Sequence, residues 1–130
     1  MLNSSYKSFK SHLTQTFPDY FFEDYRGEFE EKVPAGWNPV FPCCLIKLDE
    51  YAPLARSSAN EIIKSSLDLT LYIAEKNTSG FSTISNIFDA LNGLHIEMPL
   101  NLSFYAQVNS VKYLKAFNSV RVHTMEISIS

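Results

Sequence analysis

The most regular pattern in the chain is an alternation of apolar and polar positions over residues 61–75, EIIKSSLDLTLYIAE. The apolar residues that share one parity are Ile63, Leu67, Leu69, Leu71 and Ile73. A period of two predicts a strand with one buried face, central in an antiparallel sheet. The stretch is longer than an ordinary strand, so we expect it to curl, to bend near Ser65 or to project beyond its sheet.

Two helices are predicted from apolar stripes with helical spacing. The first stripe consists of Leu2, Tyr6, Phe9, Leu13 and Phe17. It predicts a helix over residues 4–16 that is capped by Asn3 or Ser4 and ends before Pro18. We expect this helix to lay its apolar face on the sheet; docking on a neighbouring subunit is the alternative.

The second helical stripe consists of Ile84, Ile87, Phe88, Leu91 and Leu94. It predicts a helix over residues 83–92, with Ser82 or Thr83 as the cap. Gly93 suits the left-handed position that commonly follows the last turn of a helix. Such a stripe is typical of a core face.

Three further strands are predicted. Residues 43–48 form an apolar strand after Pro42, residues 100–108 hold a short strand, and the last strand covers residues 120–129. The apolar residues of the last strand change parity, which predicts a bulge near His123 and Thr124. The alternative is that Val120 and Val122 cover the other face of the sheet.

The least regular part of the chain is the segment of residues 18–42, which we call the arm. Its aromatic residues are interleaved with acidic residues and prolines, and they are Tyr20, Phe21, Phe22, Tyr25, Phe29 and Trp37. Glycine and proline break any long element there, so we expect an irregular segment that is partly packed down and that offers a surface for a partner.

The length of the chain places these elements in one domain. The 130 residues suffice for one sizeable core, divided into an N-terminal helix (1–17), the arm (18–42) and a sheet-helix-sheet core (43–130). The predicted class is α+β: a mostly antiparallel, curved sheet with two α-helices packed on one face.

The formal net charge of -3 gives no general attraction to nucleic acid or membrane. The chain shows no signal peptide and no membrane span, so we expect a soluble, intracellular protein.

No motif in the sequence points to catalysis. Cys43 and Cys44 are adjacent, which disfavours a disulfide between them. We expect both thiols to be buried and structural. The alternative is a redox or metal site formed by the two thiols. The three histidines are far apart, and the four glycines are isolated. We therefore predict no enzyme activity, no cofactor and no metal. The alternative is an active site assembled from carboxylates that are distant in sequence, for which the sequence indicates no particular residues.

The order of these elements resembles the small tail terminator, or tail completion, proteins of tailed phages and prophages, including those of Bacteroides-like bacteria. The stretches that carry the resemblance are FPCCLIKL, LTLYIAEKN, ISNIFDALNGL and FNSVRVHTMEISIS. They match in general shape over residues 41–130: a Pro-led apolar strand, a long second strand, a helix and a strand that ends the chain. The arm has no counterpart that can be aligned.

The resemblance implies a structural protein without a catalytic site. Its subunits would form a ring, usually of six copies, that caps the tail tube and mediates head–tail joining. The implied partners are other copies of the chain, the tail tube and head-completion proteins, without recognition of a nucleic-acid sequence and without a membrane. The implied location is the host cytoplasm during assembly and then the virion tail.

Composition nominates the subunit or partner interface: Phe21, Phe22, Tyr25 and Trp37 as poorly buried aromatics of the arm, and Glu61 and Lys64 at the projecting end of the long strand. Two other functions stay open. An immunity or inhibitor protein could bind a basic toxin through the acidic residues of the arm. A cone-shaped domain could bind a small ligand, or act as an isomerase, in an apolar pocket.

Overall fold

The computed structural model describes residues 2–30, 39–59, 62–97 and 103–130. Within these ranges the chain forms two α-helices and six strands. The helices are α1 (Leu2–Thr16) and α2 (Ser82–Leu91). The strands are β1 (Phe21–Asp24), β2 (Cys43–Arg56), β3 (Ile62–Lys76), β4 (His95–Glu97), β5 (Ser103–Phe117) and β6 (Val120–Ile129). No helix in the described ranges is long and apolar enough to cross a membrane.

The strands form one sheet in the order β1-β2-β3-β6-β5-β4. Every neighbouring pair is antiparallel except β1 and β2, which run parallel. The predicted α+β class and the mostly antiparallel sheet are confirmed, whereas the parallel pair was not predicted. Parallel neighbours need a long connection, and residues 25–42 between β1 and β2 provide it.

The alternating strand is confirmed as the centre of the sheet. β3 pairs with β2 on one side and with β6 on the other. Its odd-numbered residues from Leu67 to Ile73 are buried in one core with Phe9 and Leu13 of α1 and Ile87 of α2. Both helices therefore cover the same face, which we call the helix face, and burying each such side chain contributes about 1.5–3 kcal/mol.

The opposite face carries a smaller apolar cluster at one end. Its buried members are Phe29, Cys43, Leu45, Ala74, Val120 and Val122. The alternative for the last strand is thus confirmed: Val120 and Val122 cover the second face. The predicted bulge near His123 and Thr124 is wrong, because β6 pairs with β3 without a register shift along its whole length.

The register shifts lie in the two outer long strands instead. β5 carries an extra residue between Val108 and Ser110 and another between Tyr113 and Lys115. Each shift moves later side chains to the other face, so no single alternating phase extends along β5. For this reason the predicted short strand at residues 100–108 was too short, and β5 reaches Phe117.

β2 and β3 extend together beyond their neighbours. The last pair between β3 and β6 is Leu67 with Ile129, whereas pairing with β2 continues to Ile62. The long strand therefore extends beyond β6, but the prediction that it projects beyond the sheet is wrong, because β2 extends with it. The pairing with β2 has one register shift between Leu48 and Glu50 and becomes irregular after Pro53, which lies opposite Ser65.

The helix ends differ in part from the predictions. α1 begins at Leu2, ahead of the predicted caps, and ends before Pro18 as predicted. Gly93 follows α2 with φ +79°, as the left-handed position requires. Neither Ser82 nor Thr83 caps α2 with its side chain; the buried carboxylate of Glu75 accepts a hydrogen bond from the Thr83 backbone N–H at 3.2 Å instead.

Candidate interaction surfaces

The structure places the predicted interface aromatics in β1 and directly after it. Phe22 is only 8% exposed and belongs to the core under the helices. Phe21 is half-buried against the second cluster. The prediction that these side chains are poorly buried is therefore wrong for Phe22, because β1 joins the edge of β2 and directs alternate residues to the two faces.

Tyr25 caps the second cluster as part of an aromatic stack. Its ring lies 3.9 Å from that of Tyr72, with 7° between the planes, and 6.3 Å from that of Phe29. Its hydroxyl donates to Glu30 Oε1 at 3.1 Å and accepts from the Phe29 backbone N–H at 3.3 Å. Burial is the main cause that raises the pKa of Tyr25 above its usual value. This part of the arm is a packed lid on the sheet.

The other nominated residues are placed only in part. Trp37 and Glu61 lie outside the described residues. The backbone of Lys64 pairs with Ala55 of β2, and β6 does not extend to this position. The projecting end of β3 is thus paired on one side by its own chain.

The acidic residues of the arm make contacts within their own chain. The Tyr6 hydroxyl donates to the Asp24 carboxylate, and Lys10 Nζ lies 3.5 Å from Asp24 and 3.9 Å from Glu23. The hydrogen bond from Tyr6, aided by the charge of Lys10, holds the pKa of Asp24 below its usual value. Glu28 accepts a hydrogen bond from the Arg26 backbone N–H at 2.8 Å. Lys10 therefore partly neutralises Glu23 and Asp24, and an epitope for a basic toxin stays a prediction.

The two thiols lie on opposite faces. Cys43 belongs to the second cluster and Cys44 to the core under the helices, and both are free and buried. Burial raises the pKa of Cys43 to about 12 and raises that of Cys44 well above its usual value. A thiol that stays protonated is a poor nucleophile and a poor metal ligand. Among the described residues, no group of three His, Cys, Asp or Glu side chains could hold a metal ion.

The part of the second face that the arm leaves uncovered is polar. Thr70 donates to Asp49, which also lies 3.8 Å from Lys47 Nζ. Further along, Ser128 donates to Asp68 Oδ1 at 2.8 Å, and Ser110 donates to Glu126 Oε2 at 3.2 Å. Hydrogen bonds thus link side chains across the sheet from β2 to β5. We call this surface the polar half.

Both long outer strands leave part of their backbone edge open within the described residues. β1 covers β2 only from Cys43 to Ile46, and residues 47–52 have no strand beyond them. On the other side, β4 and residues 92–94 cover β5 only up to Val108, and residues 109–117 have none. Unpaired edges of this kind accept a further strand.

An apolar groove lies beside each open edge. Next to β5, a groove of about 440 Å³ is lined by Phe81, Phe88, Val111, Tyr113 and His123. Its aromatic rim is exposed, with Phe81 at 60% and Tyr113 at 62%. Next to β2, a groove of about 620 Å³ is lined by residues that include Leu2, Tyr6, Ile46 and Leu48.

Two basic side chains lie beneath the first of these grooves, Arg121 half-buried and His123 buried. Arg121 donates to the Gly80 carbonyl, and its guanidinium carbon lies 4.6 Å from the centroid of the Phe81 ring. The His123 ring makes edge contacts with Phe81 and Tyr113 at 5.9 and 5.6 Å. Burial, with the charge of Arg121, lowers the pKa of His123, and Glu75 partly opposes this effect.

Sequence reasoning missed these edges because they depend on β1, β4 and the length of β5. The four residues of β1 are too few for a clear period. The alternation in β5 is broken twice by register shifts. One signal was available: Val111, Tyr113 and Leu114 are large apolar residues beside two lysines, a composition that is typical of an outer strand.

In comparisons with known proteins, no protein-family model matches the chain, and no curated protein is significantly similar to it.

Proposed function

We propose that the chain is a non-enzymatic structural subunit of a tailed phage or prophage, similar to the tail terminators. Copies of it form a ring that caps the tail tube and joins the tail to the head. The observation that carries the proposal is the sheet itself, because β2 and β5 leave part of their backbone edges open on opposite sides of the sheet.

A closed ring needs two different surfaces on each subunit that fit one another. The open edge of β2 and that of β5 are two such surfaces. Each carries exposed apolar side chains, Leu48 in β2 and Tyr113 and Leu114 in β5. Exposed apolar side chains next to unpaired backbone favour association with another protein over contact with water.

The order of the elements also supports the proposal. The Pro-led strand β2, the long strand β3, the helix α2 and the final strand β6 occur in the order found in the resembling proteins. The helix-free polar half adds a broad surface for a further partner, such as the tail tube or a head-completion protein.

The test is deletion of the gene in a phage or prophage that carries it, followed by electron microscopy of the particles. Loss of a terminator gives tails of abnormal length that fail to join heads. A plasmid copy of the wild-type gene should restore virions, whereas Trp37→Ala should complement less well. A second copy with Lys7→Ala, an exposed change on α1, serves as the matched control. Normal virions from the deletion strain would refute the function.

A further inference from the structure

The two open edges fit each other as the partners of one continuous sheet. We propose that the β5 edge of one subunit pairs antiparallel with the β2 edge of the next, with a stagger of about six residues. This inference rests on the proposed ring and names its interface. The occupant of each edge is a second copy of the chain.

The strand directions allow this pairing. β2, β3, β6 and β5 are neighbours in that order, and each adjacent pair is antiparallel. β2 and β5 therefore run in opposite directions, so adding the next subunit beside β5 continues the antiparallel pattern. The open stretches are also of similar length. Residues 47–52 of β2 end at Pro53, and residues 110–117 of β5 begin after a register shift. Each stretch contains one further register shift, at Leu48/Glu50 in β2 and at Tyr113/Lys115 in β5.

The stagger follows from the register across the sheet. Lys47 lies opposite Thr70, Thr70 opposite Glu126, and Glu126 opposite Ser110. From this row the open part of β2 extends toward one end of the sheet, and the open part of β5 extends toward the other. The two stretches meet only when the neighbour moves along the strands by about six residues, or about 20 Å.

A stagger of that size is what a closed ring of tilted strands needs. Four strands at about 4.8 Å spacing make the repeated sheet about 19 Å wide. An offset of about 20 Å over that width corresponds to a strand tilt of about 45°, at the upper end of the range found in closed barrels. Within one subunit, the open stretches of β2 and β5 are displaced along the strand direction. In the ring, this displacement sets how far each subunit is shifted along the strands relative to the previous one.

The side chains agree with this stagger. An even shift keeps the helix faces of the two subunits on the same side, because side chains alternate with a period of two. With a shift of six rows, Glu50 lies opposite Lys115 of the neighbour, and Tyr51 lies opposite Tyr113. Lys115 Nζ also donates to the Glu30 carbonyl of its own chain at 3.3 Å. Unlike charges and aromatic pairs stabilise directly opposed positions in an antiparallel pair. β1 of the neighbour then lies beyond Phe117. At the other end, β2 of the neighbour has to turn away from β5 after Pro53, because Arg56 would otherwise lie where residues 92–94 cover β5.

Pairing between two identical edges is less favourable. Two β5 edges would bring Lys112 and Lys115 close to the same lysines of the partner, and β5 has no acidic residue to balance them. Such isologous pairs also close after two subunits and leave the β2 edges open. Pairing of unlike edges instead covers the open stretches of both β2 and β5 in every subunit of the ring.

Engineered cysteines test the pairing directly. The double variant Glu50→Cys, Lys115→Cys, oxidised at high protein concentration, should give a ladder of disulfide-linked species larger than dimers on non-reducing gels. Each single variant should stay monomeric, and an equal mixture of the two should stop at dimers. Glu50→Cys combined with Lys7→Cys is the matched control and should give no ladder. The native thiols are buried and do not compete.

Other cross-linking patterns contradict the edge pairing. Dimers from Lys115→Cys alone would show β5 paired with β5, and dimers from Glu50→Cys alone would show β2 paired with β2. No cross-link in a double variant with an unchanged circular dichroism spectrum would refute the edge pairing altogether. A ladder in vitro together with normal virions from the deletion strain would keep the interface and remove the terminator function. Defective tails without a ladder would keep the terminator function and refute the edge pairing.

Discussion

The two faces of the sheet are completed in different ways. On the helix face, α1 and α2 seal one apolar core that includes Leu67 and Leu71 of β3. On the other face the arm seals only one end, through Phe29 and Tyr25, and leaves the polar half uncovered. The same strand thus has a continuous core on one side and a divided surface on the other. The larger apolar core thus lies on the helix face, and the polar half and the open edges are available for partners.

The largest effect is expected from removing a side chain on the helix face. Leu71→Ala, at a fully buried position, should lower the free energy of unfolding by about 2–5 kcal/mol, because it leaves a cavity in the core. Thr70→Ala, the next residue on the opposite face, loses one hydrogen bond to Asp49 and should cost about 1 kcal/mol. Urea unfolding followed by circular dichroism measures both. Equal losses would show that β3 is buried alike on its two sides.

The second prediction concerns the aromatic end of the other face. Phe29 is 2% exposed and packs against Tyr25, Tyr72 and Phe117. Phe29→Ala should therefore cost about 3 kcal/mol, as for a buried core aromatic. Phe81→Ala, an exposed aromatic of the groove, is the control and should cost much less. Similar small losses for both variants would mean that the arm does not seal this end of the sheet.

These expectations show which parts of the fold are visible in a sequence. β3 and the two helices were predicted because one period extends over ten or more residues, as in the leucines of β3 and the stripe of α2. β1 was missed because four residues carry almost no periodic signal, and its place beside β2 depends on the whole arm. β5 was shortened because its two register shifts interrupt the alternation.

The candidate surfaces were harder to predict than the fold. Aromatic composition pointed to the arm, yet Phe22 and Tyr25 use most of their apolar area within the chain. Composition reports how much apolar surface a segment has and not whether its own domain buries it. The open edges depend on which strands are outermost, and strand order follows from contacts between segments distant in sequence.

The third prediction concerns how the free energy of unfolding depends on pH through His123 on the helix face. His123 is buried beneath the groove beside β5, and its pKa is lowered in the folded protein from the ordinary value of 6.5. The unfolded chain then binds the proton first as the pH falls, so stability should decrease below about pH 7 and level off below the folded pKa. The slope cannot exceed about 1.4 kcal/mol per pH unit for one group.

Urea unfolding at pH 7.5, 6.5 and 5.5 measures this dependence. His123→Gln should flatten it, because the neutral side chain does not bind a proton. His12→Gln, on α1, is the matched control and should leave the dependence in place. The assignment to His123 fails when His12→Gln flattens the curve and His123→Gln does not.

The smallest effects are expected at the adjacent thiols, which report on one face each. Cys43 lies under the arm and Cys44 under the helices, and both should react slowly with a thiol reagent, because burial keeps them protonated. Phe29→Ala opens the arm and should speed labelling of Cys43 while leaving Cys44 slow. Phe9→Ala, on α1, should speed labelling of Cys44 more than that of Cys43.

Replacing either thiol should affect stability alone. Cys43→Ala and Cys44→Ala each remove one buried sulfur and should cost about 1 kcal/mol, with the Glu50–Lys115 cross-linking pattern unchanged. Mass spectrometry after pulse labelling separates the two thiols by peptide, since digestion after alkylation leaves the label on one or the other cysteine. Stoichiometric zinc in the purified protein, lost on either substitution, would contradict a structural role. Equal acceleration of both thiols by Phe29→Ala would show that the two faces open together, and the contrast between them would then not hold.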